Sequence, residues 1–532
     1  MFATENVSSR RHAASGIAAS RLKAAFHGYL GLPNGGVGGA QGVDDPTSIV
    51  GARPVGDKKL MAARALDCST LQGGDIMGEL SIQGFRGSLI EPSDTDYDEA
   101  RALYNGMIDK RPKVIARCTD AADVIAAVNY ARDNHLLLAI RGGGHNGPGL
   151  GSCDNGLVID LSQMRSVRVE PESRTVRVDP GCTSADVDHA THAFGLAVPL
   201  GIVGSTGVAG LTLGGGTGYL TRKHGLTVDN LLEVDVVLAD GSFVTASKEK
   251  HADLFWAIRG GGGNFGVVAS FLFQAHPAKM VFAGPIFWDA KDAKQVMATY
   301  RDFLPTAPGE LGVFVGLKTV PPVDPFPLEH WNKRACALIG AFNGPVAEGQ
   351  KLMTSLLEQL PAPLFDWTGE MPWTAINSLF DPFFPKGLQW YWKGDFVKAL
   401  PDEAIDVHIA HALKAPTPFC LMHLYPIDGA VRQVAKDATP WSARDASFSM
   451  VIAAISPDAK DAEALKSWGR AYWEAVHPFN LEGAYVNFMD ADEAGNRVEL
   501  SYGDNYQRLA SIKAQYDPNN LFRVNQNIQP KA

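Results

Sequence analysis

His145 lies in RGGGHNGPGLGS (141–152), the first of three segments where glycine is far denser than in the surrounding chain; the others are GSTGVAGLTLGGGTG (204–218) and RGGGGNFG (259–266). Glycine admits positive φ angles and lets a ligand approach main-chain N–H groups, which are good partners for phosphate oxygens. One such segment alone could be no more than tight turns. Three together point to a ligand, with a diphosphate as the natural candidate. The string G-x-G-x-x-G occurs twice, at Gly142, Gly144, Gly147 and at Gly261, Gly263, Gly266. A Rossmann fingerprint needs a strand before it and a helix after it. The first match runs into GPGLGS, which cannot begin a helix, and the second follows a helix and enters a strand. These residues predict a large phosphorylated cofactor held on loops, and NAD is the weaker reading.

The elements that must position these loops begin at Pro112. VIARC reads as a strand, ADVIAAVNYARDN as an amphipathic helix and LLLAIR as a buried strand, a β-α-β opening. LVIDL, VRVE and TVRVDP read as further strands, and TSADVDHATHAFG as a helix. LLEVDVVLADGSFVTAS reads as two strands joined at Asp240-Gly241, a pair suited to the positive φ angles of a tight hairpin. HADLFWAIR reads as a helix and FGVVASFLFQAH as a strand. Near Pro277 the texture changes to alternating aromatic and aliphatic runs, VFAGPIFW, LGVFVGL and ACALIGAF, with helices such as AKDAKQVMATYRDFL. The simplest reading is a second sheet with helices on one side. The C-terminal helix NYQRLASIKAQYDP would pack back on the first unit. The fold class is α+β, with domains expected at 107–279, 280–480 and 481–532, after an extension or linker over 1–70.

Bulk properties remove several classes. The 532 residues exceed what one hydrophobic core usually organises. A net charge of −10 with no dense basic stripe argues against a nucleic-acid partner, whose binding depends on Lys and Arg releasing counterions. No apolar stretch reaches the roughly eighteen residues that cross a bilayer, so no membrane partner is expected. The six cysteines are scattered without a Cys-x-x-Cys, and no metal site is expected. Arg10 and Arg11 precede a segment in which Arg21 and Lys23 stand where an export signal needs apolar residues. A cytoplasmic location is the expectation, with the arginine pair leaving export open. Nothing in the sequence specifies an oligomeric state.

RGGGHNGPGLGSCDNGLVIDLSQM closely resembles the vanillyl-alcohol-oxidase (PCMH) type of FAD-binding fold, specifically the berberine-bridge-enzyme-like oxidoreductases. The resemblance continues through GVAGLTLGGGTGYLTRKHGLTVDNLLEVDVVLADG and RGGGGNFGVV and closes with YVNF, YGDNYQRL, YDPNNLF and NQNIQP. It implies a split PCMH-type FAD-binding domain completed by the C-terminal segment, with an inserted antiparallel-sheet substrate domain. It also implies that His145 bonds to the C8α methyl of the flavin. Some relatives add a cysteine tether; the matching position here is Val203, so one covalent bond is expected. Cys153 and Cys182 are read as core residues. The cofactor contacts implied are Arg141, Gly142, Gly143, Gly144, His145, Asn146 and Gly147; Ser205, Thr206, Gly207, Gly210, Gly214, Gly215 and Gly218; Val268; and Asn525, Gln526 and Asn527.

Oxidation of an alcohol by a flavin needs a base for the hydroxyl proton while hydride leaves the carbon. Tyr485, in YVNF, matches a tyrosine that serves as that base in sugar-oxidising relatives. A phenol titrates near pH 10, so it needs a positive charge or hydrogen-bond donor beside it. A strand tyrosine packed at a core edge is the plainer alternative. Tyr425, in LMHLYPIDG, is a second candidate, for orienting substrate, and His423 a third. Trp390, Tyr391 and Trp392 are candidate pocket aromatics. No secure match exists for the glutamate used by alkaloid-oxidising relatives. The expectation is an FAD-linked oxidase acting on a sugar, a hydroxylated metabolite or another small alcohol, with molecular oxygen a candidate acceptor. A dehydrogenase using another acceptor, and a non-catalytic metabolite-binding protein, are the alternatives.

Overall fold

The computed structural model describes residues 80–493 and 496–531. The 1–70 extension, the Arg10–Arg11 pair and Cys68 lie outside the described residues. Strands β1 (Ser88–Ile90), β2 (Val114–Arg117), β3 (Leu138–Arg141) and β4 (Leu157–Asp160) form a sheet of order β1-β2-β4-β3. β2 and β3 each pair parallel to β4, and β1 pairs antiparallel to β2. β4 is buried at every position, as a strand covered on both faces must be. The crossover helix Ala121–Asp133 starts where the Asp120 carboxylate accepts from the Ala122 and Asp123 amides, and it buries Val124, Ala127, Val128 and Ala131 at helical spacing. β3 ends at Arg141, so the first glycine loop leaves the sheet directly from a strand.

The next strands are β5 (Val167–Glu170), β6 (Thr175–Val178), β7 (Leu196–Ala197), β8 (Leu231–Val237), β9 (Phe243–Ser247), β10 (Val267–Gln274) and β11 (His276–Pro277). They build an antiparallel sheet of order β5-β6-β10-β8-β9, with β7 and β11 as a separate pair. β8 and β9 do pair, but their connection is longer than a two-residue turn. Only Gly241 takes a positive φ, and Asp240 instead accepts from the Ser242 amide at 2.9 Å. The second glycine segment contains a short helix, Val208–Gly214, which the sequence reading did not anticipate.

From Met280 the chain forms the second large sheet: β12 (Met280–Asp289), β13 (Leu311–Thr319), β14 (Arg334–Phe342), β15 (Phe365–Asp366), β16 (Gly369–Pro372), β17 (Gln389–Val397), β18 (Leu421–Pro426) and β19 (Phe448–Ser456). Its order is β15-β12-β14-β13-β18-β19-β17, with β16 also on β12, and every pairing is antiparallel. Alternate residues point to opposite faces. Val313, Val315, Leu317, Met422, Leu424, Met450 and Ile452 meet the helices Ala293–Phe303, Asp402–Ala412 and Ala462–Val476. The last helix buries Leu465, Gly469, Tyr472 and Val476, and a methyl on Gly469 would lie 2.7 Å from the Tyr391 ring. The opposite face, carrying His423, Tyr425, Val451 and Ala453, turns toward the first unit.

The C-terminal segment returns to that first unit. The helix Tyr506–Tyr516 contributes Leu509, Ala510 and Ile512 to the same core as β6, β8 and β10. Among the described residues no helix is long and apolar enough to cross a membrane, and no group of three or more His, Cys, Asp or Glu side chains could hold a metal.

Candidate active site

The three glycine segments converge. A methyl on Gly143 would lie 2.5 Å from the Gly207 nitrogen, so the first two loops touch main chain to main chain. They line one cavity of about 330 Å³ together with Gly262, Gly263 and Gly266 of the third. Its walls include Arg141, Gly142, Gly143, Gly144, His145, Asn146, Thr206, Gly207, Gly210, Gly214, Val268, Asn525 and Gln526, with Tyr425 from the large sheet and Tyr485 from the C-terminal segment. Ser205 faces an adjoining cleft, where its hydroxyl meets His145. Gly147, Gly215, Gly218 and Asn527 do not line the cavity. A methyl on Gly147 would strike the Trp392 ring, one on Gly215 the Trp441 ring, and one on Gly218 the Leu200 carbonyl. Those three glycines answer to the protein's own packing.

Other glycines answer to nothing among the described residues. A methyl on Gly210 or Gly263 meets no atom within 4 Å, although both line the cavity. Bare main chain facing open space is what a bulky ligand requires. Buried polar atoms without partners among the described residues surround the same space: Gln526 Nε2, Asn525 Oδ1, Trp390 Nε1, Trp392 Nε1 and His423 Nε2. Buried polar groups are nearly always satisfied, so these atoms await one. The residues fit a long dinucleotide cofactor such as FAD.

His145 is held on two sides. Its ring stacks on Tyr104 at 3.7 Å between centroids, and its Nε2 lies 2.8 Å from the Ser205 hydroxyl. Burial lowers its pKa to about 3, so the imidazole is neutral and nucleophilic. The loop is anchored behind it by the Arg141–Asp160 ion pair at 2.8 Å. Burial pushes the Asp160 carboxyl up, but the Arg141 charge and hydrogen bond outweigh it and hold the group below its ordinary value. Val203 lines the cavity and carries no thiol. Cys153 and Cys182 are buried, with burial pushing their thiols up to about 11 and about 12.

Tyr485 stands at the start of a 3-10 turn, Val486–Phe488, and not on a strand. Its hydroxyl accepts from the Gly216 amide at 2.9 Å and from Asn487 Nδ2 at 2.7 Å. Both groups donate to the phenol oxygen, which itself donates to the Leu211 carbonyl at 3.5 Å, and Asn487 belongs to the YVNF motif itself. Burial nevertheless raises the phenol to about 12, the two donors pulling the other way. Tyr425 pairs its hydroxyl with His423 Nδ1 at 2.8 Å. Burial raises the Tyr425 phenol and lowers His423, leaving both neutral. Trp390 and Trp392 line the cavity, whereas Tyr391, on the alternate face of β17, donates to Asp492 at 2.8 Å.

Two residues at the site were not anticipated. Tyr104 covers His145, and Asp381 accepts from the Gly204 amide at 2.6 Å, fastening the substrate domain to the second glycine loop. Their contacts span long stretches of chain, and no local pattern in the sequence marks either residue.

Split around an inserted antiparallel sheet, with bare loops lining the shared cavity, this is the architecture of PCMH-type FAD oxidoreductases, and comparison with known proteins agrees. A family model described as "FAD binding domain" matches residues 112–247, and one described as "Berberine and berberine like" matches 484–529. An FAD-linked oxidoreductase of Dictyostelium discoideum is 31% identical over 438 residues, covering 80% of this chain and 91% of the relative. The chain belongs to the berberine-bridge-enzyme-like FAD-linked oxidoreductases and is an FAD-dependent enzyme. Chitooligosaccharide oxidase of Gibberella zeae is 28% identical, covering 82% of this chain and 91% of that one. The crystal structure of 6-hydroxy-D-nicotine oxidase from Arthrobacter nicotinovorans superposes with a TM-score of 0.75 at 26% identity, covering 86% of this chain and 100% of that one.

Proposed function

We propose that this enzyme oxidises the alcohol carbon of a small hydroxylated molecule, holding its FAD by a single covalent bond from His145. When bound, FAD supplies the acceptor for the hydride that leaves the carbon. Tyr485 accepts the hydroxyl proton, and its two N–H donors stabilise the phenolate that does so. The observation that carries this reading is the Tyr485 hydroxyl fixed on the cavity wall by Gly216 and Asn487. The Ser205 contact engages His145 Nε2 and leaves Nδ1 for attachment. Arg141 through Asn146, with Thr206, Gly207, Gly210 and Gly214, would line the phosphates and ribityl chain. Val268, Asn525 and Gln526 complete the far wall.

The test is acid precipitation of purified wild type and His145→Ala. Wild type should carry yellow colour into the pellet and the variant should release it to the supernatant. Colour retained in the His145→Ala pellet would refute the attachment. Peroxide released under air during turnover supports oxygen as acceptor, and its absence supports a dehydrogenase.

A further inference from the structure

We propose that Ser205 and Asp381 form the route by which the ring proton of His145 leaves while the imidazole is joined to FAD. This rests on the reading that His145 is the attachment point, with Nδ1 as the bonding atom.

For Nδ1 to offer a lone pair, the ring proton must sit on Nε2. There, among the described residues, the Ser205 hydroxyl at 2.8 Å is its hydrogen-bond partner. Other groups around the ring are committed. Tyr104 stacks on it but donates its own hydroxyl to the Phe384 carbonyl at 2.8 Å, and Arg141 is paired with Asp160. Bonding at Nδ1 would leave the ring a cation, and burial disfavours charge on this ring. Loss of the Nε2 proton relieves it. Ser205 takes that proton on Oγ and releases its own from the same atom.

The released proton enters a cleft of about 470 Å³ beside the cavity, lined by His145, Ser205 and Asp381. Asp381 opens the 3-10 turn Asp381–Phe383. Its Oδ1 accepts from the amide of Gly204, the neighbour of Ser205, and its Oδ2 has no partner among the described residues. A methyl on Gly204 would strike that Oδ2, so the free oxygen lies against the stretch of chain that carries Ser205. The other charged groups on the cleft are the exposed Asp96, Glu99 and Lys386, and Arg117, Arg141 and Asp160, which are tied to one another. Burial raises the Asp381 carboxyl to about 6, the Gly204 bond opposing it, so near neutral pH it is ionised yet basic enough to take a proton. The overall change forms the Nδ1–C8α bond, breaks one C8α–H bond and removes the imidazole proton. The two protons and two electrons set free reduce dioxygen to hydrogen peroxide.

The experiment adds FAD under air to full-length protein produced without flavin. It follows yellow colour that survives acid precipitation, beside the total FAD bound before acid. Ser205→Ala should take up FAD but form the acid-stable bond about tenfold or more slowly than wild type, and Ser205→Thr, which keeps the hydroxyl, should recover most of the rate. The wild-type rate should rise with pH through about 6 as Asp381 ionises. Asp381→Asn keeps the acceptor for Gly204 and should be slow without that rise. Attachment at the wild-type rate in Ser205→Ala overturns the proposal, as does Ser205→Thr as slow as Ser205→Ala, or an Asp381→Asn pH profile that matches wild type. Wild type that binds FAD without any acid-stable colour sinks the reading beneath it instead.

Discussion

Gly143 and Gly207 are packed main chain against main chain: a methyl on either would lie within 2.5 Å of the other's nitrogen. This contact brings the two loops together at the cavity, and it separates glycines the fold needs from glycines a ligand needs. Gly143→Ala should unfold or displace the loops. Gly210→Ala meets open space and sits inside a helix, where alanine is favoured over glycine by about 0.5–1 kcal/mol. The FAD-free Gly210→Ala protein should therefore be as stable as wild type or slightly more so, yet retain less flavin. Thermal unfolding of the FAD-free proteins beside flavin-to-protein absorbance ratios measures both, and unchanged flavin content in Gly210→Ala would contradict a ligand at that wall.

The phenol of Tyr485 bears on rate through its ionisation. Burial pushes it up to about 12 and its donors oppose that shift, so the phenolate fraction rises about tenfold per pH unit through the neutral and alkaline range. If the phenolate takes the proton, kcat/KM should climb with pH until another step limits. Tyr485→Phe preserves ring packing and should lower kcat by about 10²–10⁴ while leaving FAD bound. Asn487→Leu removes one donor and should move the profile to higher pH. Wild-type kcat in Tyr485→Phe would assign the proton transfer elsewhere.

Legibility followed the range of the interactions. The β-α-β opening was readable because Val124, Ala127, Val128 and Ala131 repeat at helical spacing and Asp120 caps the helix. The substrate-domain strands were readable because long apolar runs alternate sides. YVNF resembled a strand by composition, but the Phe488 amide closes back on the Tyr485 carbonyl at 2.8 Å and makes a turn. The helix Val208–Gly214 was hidden by its glycines, which weaken a helix in isolation; here Val208, Ala209 and Thr212 are buried by the surrounding fold. Tyr104 and Asp381 left no trace, because their roles depend on partners that only the folded chain brings near.

Two buried carboxyls give the fold a pH signature. Asp188, hydrogen-bonded by Trp373 and Asn377, and Asp381, held by the Gly204 amide, are each pushed up to about 6 by burial. A carboxyl whose folded pKa exceeds its unfolded value near 3.9 binds its proton more tightly when folded. Its contribution is complete below about pH 4 and is lost as pH rises through about 6. Asp381→Asn keeps an acceptor for Gly204 and removes the ionisation. It should flatten the pH dependence of the unfolding free energy from urea titrations between pH 4 and 7, by on the order of 1 kcal/mol once partial exposure is discounted. Parallel pH profiles for wild type and variant would exclude the group.

The C-terminal segment is fastened to the third glycine loop through Lys513 and Asn264. Lys513 and Asp517 are fully buried, and Lys513 Nζ donates to Asp517 at 2.6 Å, to the Asn264 carbonyl at 2.6 Å and to the Phe522 carbonyl at 2.8 Å. Asn264 in turn donates to the Gln526 carbonyl and accepts from the Ile528 amide. Lys513→Met leaves the Asp517 charge buried without its partner, a change that typically costs about 3–5 kcal/mol. It should loosen the stretch bearing Asn525 and Gln526, so flavin retention should fall with stability. Added FAD should recover part of the unfolding midpoint, since a ligand that binds only the folded state stabilises it. Urea unfolding with and without FAD measures this; a loss below about 1 kcal/mol would show that the segment does not depend on Lys513.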